Sequence, residues 1–187
     1  MWFKKFILSL IFYFILISCS IASIKKEIVK KLISTNNLSF DFRQEVDNKI
    51  ESGNCTIKYP KLINCIYNNK LQKIMVSNGK SLVIKNRLNK QYYIYPLNKT
   101  QLSKILDKVF LINQIKNLEI VNNSEEKISF VFLKDNINFT FFFDKNSYDL
   151  VGWNTEDIYQ NKVKFEIFNI KLNQSIDKRK FILPKKN

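Results

Sequence analysis

The stretch GNCTIKYPKLINCIY, residues 53–67, decides the fold. Its two runs, Gly53 to Tyr59 and Leu62 to Tyr67, flank Pro60, whose ring fixes φ and removes a ladder donor, so the proline suits the turn of a hairpin. In a register symmetric about Pro60, Cys55 faces Cys65 and Ile57 faces Ile63, which puts both sulfurs on one side of the sheet. Two readings of the cysteines stand side by side: a cross-strand disulfide, if the chain is exported to an oxidising compartment, or two small buried thiols.

Moving outward, the same two-residue period continues on both sides. Lys73 to Ser77 and Ser81 to Lys85 flank Asn78-Gly79, a dipeptide suited to positive φ in a two-residue hairpin loop. Gln91 to Tyr95 is an aromatic strand stopped by Pro96. Upstream, Phe40, Phe42, Gln44 and Val46 alternate with Asp41, Arg43 and Glu45. Before them Ile24, Ile28, Val29, Leu32 and Ile33 fall on one face of an amphipathic helix that Asn36 and Asn37 end. Leu102, Ile105, Leu106 and Val109 repeat at helical spacing, with Thr100 as the N-cap candidate. Five further strands follow: Leu118 to Val121, Lys127 to Leu133, Ile137 to Asp144, Tyr148 to Asp157 and Lys162 to Ile170. Their short polar connections argue for antiparallel meander pairing.

The fold class is therefore mainly β (α+β): about eleven antiparallel strands, too many for a flat open sheet, curling into an incomplete barrel. The helices near residues 24–33 and 100–110 are the available lid over its apolar inner face. With no linker in the sequence, residues 23–187 read as a single domain.

The composition closes off most other chemistry. The 187 residues include 31 Lys and Arg against 16 Asp and Glu, a net charge of +15, with no histidine and only three glycines. The missing imidazole excludes His-based triads and His-ligated zinc, and the isolated Gly53, Gly79 and Gly152 cannot build a phosphate-cradling loop. No metal site and no cofactor is expected. The carboxylate pairs, Asp41 with Glu45 and Glu156 with Asp157, are poorly placed for acid/base work, because adjacent strand residues face opposite ways and the charges around Phe42 alternate outward. An enzyme is not expected. The lysines are spread along the chain rather than gathered into a patch, so nucleic acid is not an expected partner either.

Residues 1–22 carry Lys4 and Lys5, an apolar run from Phe6 to Ile17, and small residues at Ser18, Ser20 and Ala22, the pattern of an export signal. Cleavage after Ala22 gives a soluble mature chain. Leu16-Ile17-Ser18-Cys19 also suits a lipobox, in which Cys19 is acylated and becomes the first residue.

Several segments together resemble one family. Phe42-Arg43-Gln44-Glu45-Val46, Gly53 through Pro60, Val76-Ser77-Asn78-Gly79-Lys80-Ser81-Leu82, the Pro96 to Leu106 helix entry, and Asp144 to Phe165 followed by Phe181-Ile182-Leu183-Pro184 look like the outer-membrane lipoprotein carrier family (LolA). The resemblance implies a non-catalytic, monomeric periplasmic chaperone. It would shelter the acyl chains of lipoproteins in an apolar cavity, receive them from an inner-membrane lipoprotein-releasing transporter, and deliver them to an outer-membrane acceptor or to the membrane itself. The related acceptor (LolB), acylated at Cys19, is the alternative. Strand parity together with the resemblance nominates Phe40, Phe42, Ile57, Ile63, Ile74, Val76, Leu82, Ile84, Phe139, Phe141, Phe143 and Trp153 for the cavity, and Leu102, Ile105 and Leu106 for the lid. Well-studied members place an arginine just before the hairpin proline; here Tyr59 stands there and would seal the lid by aromatic packing. Cys65 occupies an aromatic position of the family, which fits a stapled hairpin.

Overall fold

The computed structural model describes residues 23–186 apart from 125, 135, 136, 158 and 159, so the export signal and Cys19 lie outside the described residues. Eleven strands among them form one antiparallel sheet: β1 (Asn37–Val46), β2 (Lys49–Lys58), β3 (Leu62–Tyr67), β4 (Lys73–Asn78), β5 (Ser81–Asn86), β6 (Tyr92–Pro96), β7 (Ile120–Asn123), β8 (Lys127–Lys134), β9 (Ile137–Asp144), β10 (Leu150–Glu156) and β11 (Lys162–Leu172). Their order is β6-β5-β4-β3-β2-β1-β11-β10-β9-β8-β7. Every neighbour is a hairpin partner except at β1, which pairs with both β2 and β11 and so joins the two halves of the chain. Among the described residues β6 and β7 are the edge strands, each paired on one side, and the segment between them carries the helices that follow the first half of the sheet.

Turn chemistry sets the register. Asp47 and Asn48 both take positive φ between Val46 and Lys49, the conformation a two-residue loop needs to match strand twist. The hairpin around Pro60 has the expected pairing, Cys55 opposite Cys65 and Ile57 opposite Ile63, and the two sulfurs form a disulfide. The Asn78-Gly79 hairpin differs by one residue from the expected loop. Ser77 pairs with Leu82, so the central pair is Gly79-Lys80; Gly79 takes the positive φ, and the Asn78 side chain accepts from the Lys80 and Ser81 amides.

The helices depart more from expectation. Helix α1 (residues 23–34) buries Ile28 and Leu32, one turn apart on the same face, but Ile33, one residue further round, is exposed. After a 3-10 turn at Leu97–Lys99 come a single turn, α2 (Leu102–Ile105), and a longer helix, α3 (Lys108–Asn117). Thr100 does not cap by its side chain; its hydroxyl donates to the Leu97 carbonyl, and the working cap is Asp107, which accepts from the Phe110 amide. Because the helix restarts at Asp107, Leu111 and Ile115 become its buried face and Val109 is exposed. The run through Asn117 also delays the next strand, which begins at Ile120 rather than Leu118. Near the end of the described residues a 3-10 turn (Lys178–Phe181) lies on the outer face of β3 and β4, where the Lys180 carbonyl accepts from Asn64, in place of the last strand that the resemblance at Phe181 to Pro184 implies.

The concave face of the sheet gathers one buried cluster that includes Phe40, Phe42, Phe130, Phe141 and Phe143 from the strands, Ile28 and Leu32 from α1, and Leu111 and Ile115 from α3. Both cysteines belong to it, at 1% and 0% exposure, so the disulfide is an internal staple. Closing a short loop, it should contribute about 2–3 kcal/mol by restricting the unfolded chain. The Cys55→Ala, Cys65→Ala double variant should therefore melt roughly 5–10 °C below the parent, by a circular-dichroism melt, with unchanged strand content.

Candidate functional site

Register alone separates two ends of the curled sheet. At one end lie the Pro60 turn, the Gly79-Lys80 turn and the C-terminus of α1. At the other lie the end of β1, the start of β4, the end of β10 and the start of β11. The helical cover is tied to the first end: the Lys61 amide donates to the Leu106 carbonyl at 2.9 Å, the Leu97 amide to the Lys80 carbonyl at 2.9 Å, and Lys108 Nζ to the Ile33 and Thr35 carbonyls at 3.2 and 2.9 Å. That lysine thus caps the C-terminus of α1 from the start of α3, where a cation meets the negative end of the helix dipole.

Toward the second end the cluster opens into a cavity of about 310 Å³ that its own outermost members line. Its roof is Leu102 and Ile105 of α2; its walls are Leu82 and Ile84 of β5 on one side and Phe139 and Trp153 on the other. Its floor, Phe165 and Tyr67, belongs to an aromatic run that crosses the junction of the two half-sheets and passes through Phe42 of the cluster. Trp153 stacks on Phe165 at 4.3 Å, Phe165 on Phe42 at 5.0 Å, and Phe42 meets Tyr67 edge-on at 5.0 Å. Gly53 lies between Phe42 and Tyr67 in the ladder and makes this approach feasible: a Cβ there would sit 2.9 Å from the Phe42 ring and 2.1 Å from the Ile66 carbonyl oxygen.

The lining grades from apolar to polar. Ile105, Phe139, Trp153 and Phe165 are buried, whereas Gln44, Lys73, Gln101, Glu156 and Asp157 are half-exposed and mark the mouth. Tyr67 OH donates to Gln44 Oε1 at 3.1 Å, Lys73 Nζ lies 3.8 Å over the Tyr67 ring and is ion-paired with Glu51, and the buried Thr155 hydroxyl finds no partner among the described residues. Burial, and then the Glu51 carboxylate, push the Tyr67 phenol above its ordinary range, so it stays a neutral donor. A second hollow of about 470 Å³, rimmed by Lys61, Lys80 and Lys104, lies at the opposite, anchored end.

Of the residues nominated from sequence, Leu82, Ile84, Leu102, Ile105, Phe139 and Trp153 line the cavity. Phe40, Phe42, Ile57, Ile63, Leu106, Phe141 and Phe143 belong to the packed cluster instead, because α1 and α3 fill that part of the trough. Ile74 and Val76 are on the other face altogether. Lys73 and Met75 line the cavity, so their alternates point outward, opposite Lys85 and Val83, where the C-terminal segment covers the sheet. Apolarity selected the wrong parity on β4 because both faces of that strand are covered. Tyr59 packs against the cluster beside Leu32, Leu38 and Tyr148 and has Lys108 Nζ 5.7 Å from its ring, so it lies under α1 more than under α2. The polar mouth went unread; the alternation of Val163, Phe165 and Ile167 on β11 was the available signal for its floor.

A family model described as outer membrane lipoprotein carrier protein LolA matches residues 34–183. No curated protein matches the sequence. Among solved structures, MucB is 7% identical with a TM-score of 0.52, over 90% of this chain and 64% of that one. The MucA/MucB complex of Pseudomonas aeruginosa is 9% identical with a TM-score of 0.50, over 88% of this chain and 61% of that one. A LolA superfamily protein from Nitrosomonas europaea is 6% identical with a TM-score of 0.46, over 87% and 97%. At these identities the likeness concerns the fold, and the chain spans less than two thirds of the MucB chains.

The floor depends on the missing Cβ of Gly53, and the nearest obstacles are backbone atoms that cannot swing aside. Gly53→Ala should cost about 2–4 kcal/mol, read as a lowered denaturant midpoint, with loss of near-ultraviolet signal from the stacked rings.

Proposed function

The chain belongs to the LolA family of outer membrane lipoprotein carrier proteins, and from that membership we propose that it carries acylated lipoproteins across the periplasm, sheltering their acyl chains in the cavity under α2. The observation that carries this reading is an apolar hollow at the concave face of an unclosed sheet, roofed by one helical turn. Each methylene kept from water is worth about 0.8 kcal/mol, so an acylated protein needs such a shelter to cross an aqueous gap. Delivery is from an inner-membrane transporter to an outer-membrane acceptor, residues 1–22 serve as the export signal, and the protein works as a monomer without catalysis.

The volume bears on how the cargo enters. About 310 Å³ is roughly twice the ~150 Å³ hollow that holds a benzene ring, so the closed cavity takes part of one chain. Several chains require α2 to lift. Leu102 and Ile105 then leave their places to cargo, and the free energy of the closed lid sets how readily cargo is released. The anchors at Leu97 and Leu106 hold the ends of this segment while the turn between them is held mainly by its own apolar contacts. The outer-membrane acceptor reading shares the cavity and differs at Cys19.

Phe42 and Phe141 are wholly buried in the cluster, so polar substitutions there would unfold the chain. Leu102 is half-exposed on the roof, and Leu102→Asp should weaken binding of a fluorescent acyl probe at least tenfold while moving the melting temperature by only a few degrees. Unchanged probe affinity would remove the cavity from the function. The mass of the mature N-terminus separates the two readings: Ser23 as first residue for the carrier, an acylated Cys19 for the acceptor.

A further inference from the structure

We infer that the hollow of about 470 Å³ at the anchored end is a binding site for a phosphate group, carried by a lipid head group or by a small soluble ester, and that Lys61, Lys80 and Lys104 hold it. The site is separate from the acyl cavity and does not depend on what that cavity holds.

Three separate elements bring these lysines together. Lys61 lies in the turn between β2 and β3, Lys80 in the turn between β4 and β5, and Lys104 on α2. Each is fixed through its backbone. The Lys61 amide donates to the Leu106 carbonyl at 2.9 Å, the Lys80 carbonyl accepts from the Leu97 amide at 2.9 Å, and the Lys104 carbonyl accepts from the Asp107 amide at 3.3 Å. The two turns lie side by side, since a Cβ on Gly79 would stand 3.8 Å from that of Lys61. Leu97 and Phe110 back the hollow, and Lys104 Nζ lies 5.1 Å from the centre of the Phe110 ring, which places its charge at that wall.

The positive charge there is not balanced. Elsewhere Lys30, Lys31, Lys73 and Lys164 pair with carboxylates, and Lys108 caps α1. Lys61, Lys80 and Lys104 form no ion pair among the described residues. Asp107 is the acid of the lining, and one of its oxygens already accepts from the Phe110 amide. Three ammonium groups thus face one carboxylate. Like charges gathered around a partly enclosed, partly apolar space repel one another more than they would on open surface, and an anion seated among them removes that cost. The donors suit phosphate. Lysine ammonium groups act as point charges that can each meet a different oxygen of a tetrahedral anion, whereas a planar carboxylate is best matched by the fork of arginine, and the described lining holds no arginine. Because Lys104 belongs to the turn that roofs the acyl cavity, a phosphate shared with Lys61 and Lys80 would also fasten that turn to the sheet.

The test measures binding at low ionic strength of inorganic phosphate and glycerol 3-phosphate by titration calorimetry, and of phosphatidylglycerol vesicles by co-sedimentation against phosphatidylcholine vesicles. At least one phosphate probe should bind the parent. Lys61→Gln, Lys80→Gln and Lys104→Gln together should weaken it about tenfold or more, since a lysine beside an anionic surface is worth about fivefold. Lys80→Gln alone, on an exposed turn, should weaken it about fivefold without moving the melting temperature, which keeps the outcome readable if the triple variant is unstable. Lys49→Gln, Lys90→Gln and Lys162→Gln together remove the same charge from exposed positions at the other end of the sheet. That variant should stay within about twofold of the parent, because screening limits charge effects to near neighbours. Binding of the soluble phosphates identifies a small ester as the ligand, and binding of phosphatidylglycerol vesicles alone identifies a lipid head group. Equal loss in the two triple variants, tighter binding of hexaglutamate than of any phosphate probe, or no phosphate probe bound by the parent overturns the inference.

Discussion

The two half-sheets are held at their mutual angle by one run of aromatic contacts, Trp153 to Phe165 to Phe42 to Tyr67, passing over Gly53. Among the described residues the two halves meet at the β1–β11 pair, so the inner residues of these strands bear on how sharply the sheet bends. Stacked rings at 4.3–5.0 Å gain more than their buried area alone supplies, and they are flat, which lets them tile a floor without filling the space above it. The hollow follows from that choice. Branched aliphatic residues at Trp153, Phe165 and Tyr67, the three of these that line the cavity, would stand up from the sheet and occupy the volume themselves.

The helices divide the trough unequally. α1 and α3 send Ile28, Leu32, Leu111 and Ile115 into the cluster, while α2 is a single turn that contributes Leu102 and Ile105 to the cavity roof. A four-residue helix makes few internal hydrogen bonds and is stable only through what it packs on. Its stability therefore rests on the apolar surface of the cavity, while the flanking anchors, Lys61 to Leu106 and Lys80 to Leu97, tie both ends of the segment to the sheet. Lys108 links α1 to α3 at the same end, which leaves the mouth near Gln44 and Glu156 unencumbered by those ties.

Much of this was legible in the chain. Strand number, the hairpin register around Pro60 and the pairing of Cys55 with Cys65 follow from a two-residue period and a turn residue, both local signals. Family membership was readable from Phe42 to Val46 and from Val76 to Leu82, and the LolA match over residues 34–183 agrees. What failed was long-range. Ile74 and Val76 look like an inward face because nothing local announces that residues near Phe181 return to cover the outside of β4. Helix ends misled for a related reason: Asp107 restarts the helix out of phase, so Val109 is exposed and Leu111 is buried. Polar lining such as Lys73 and Thr155 escapes any search that equates inside with apolar.

The return of the C-terminal segment across the convex side has a mechanical consequence. Asn64 grips the Lys180 carbonyl, Lys85 grips that of Lys185, and Phe181 is buried, so β3 to β5 are clamped between a strap behind and the packed cluster in front. A sandwiched panel of this kind resists splaying. The back of the hollow is thereby braced from two sides, whereas its front is covered by one short turn.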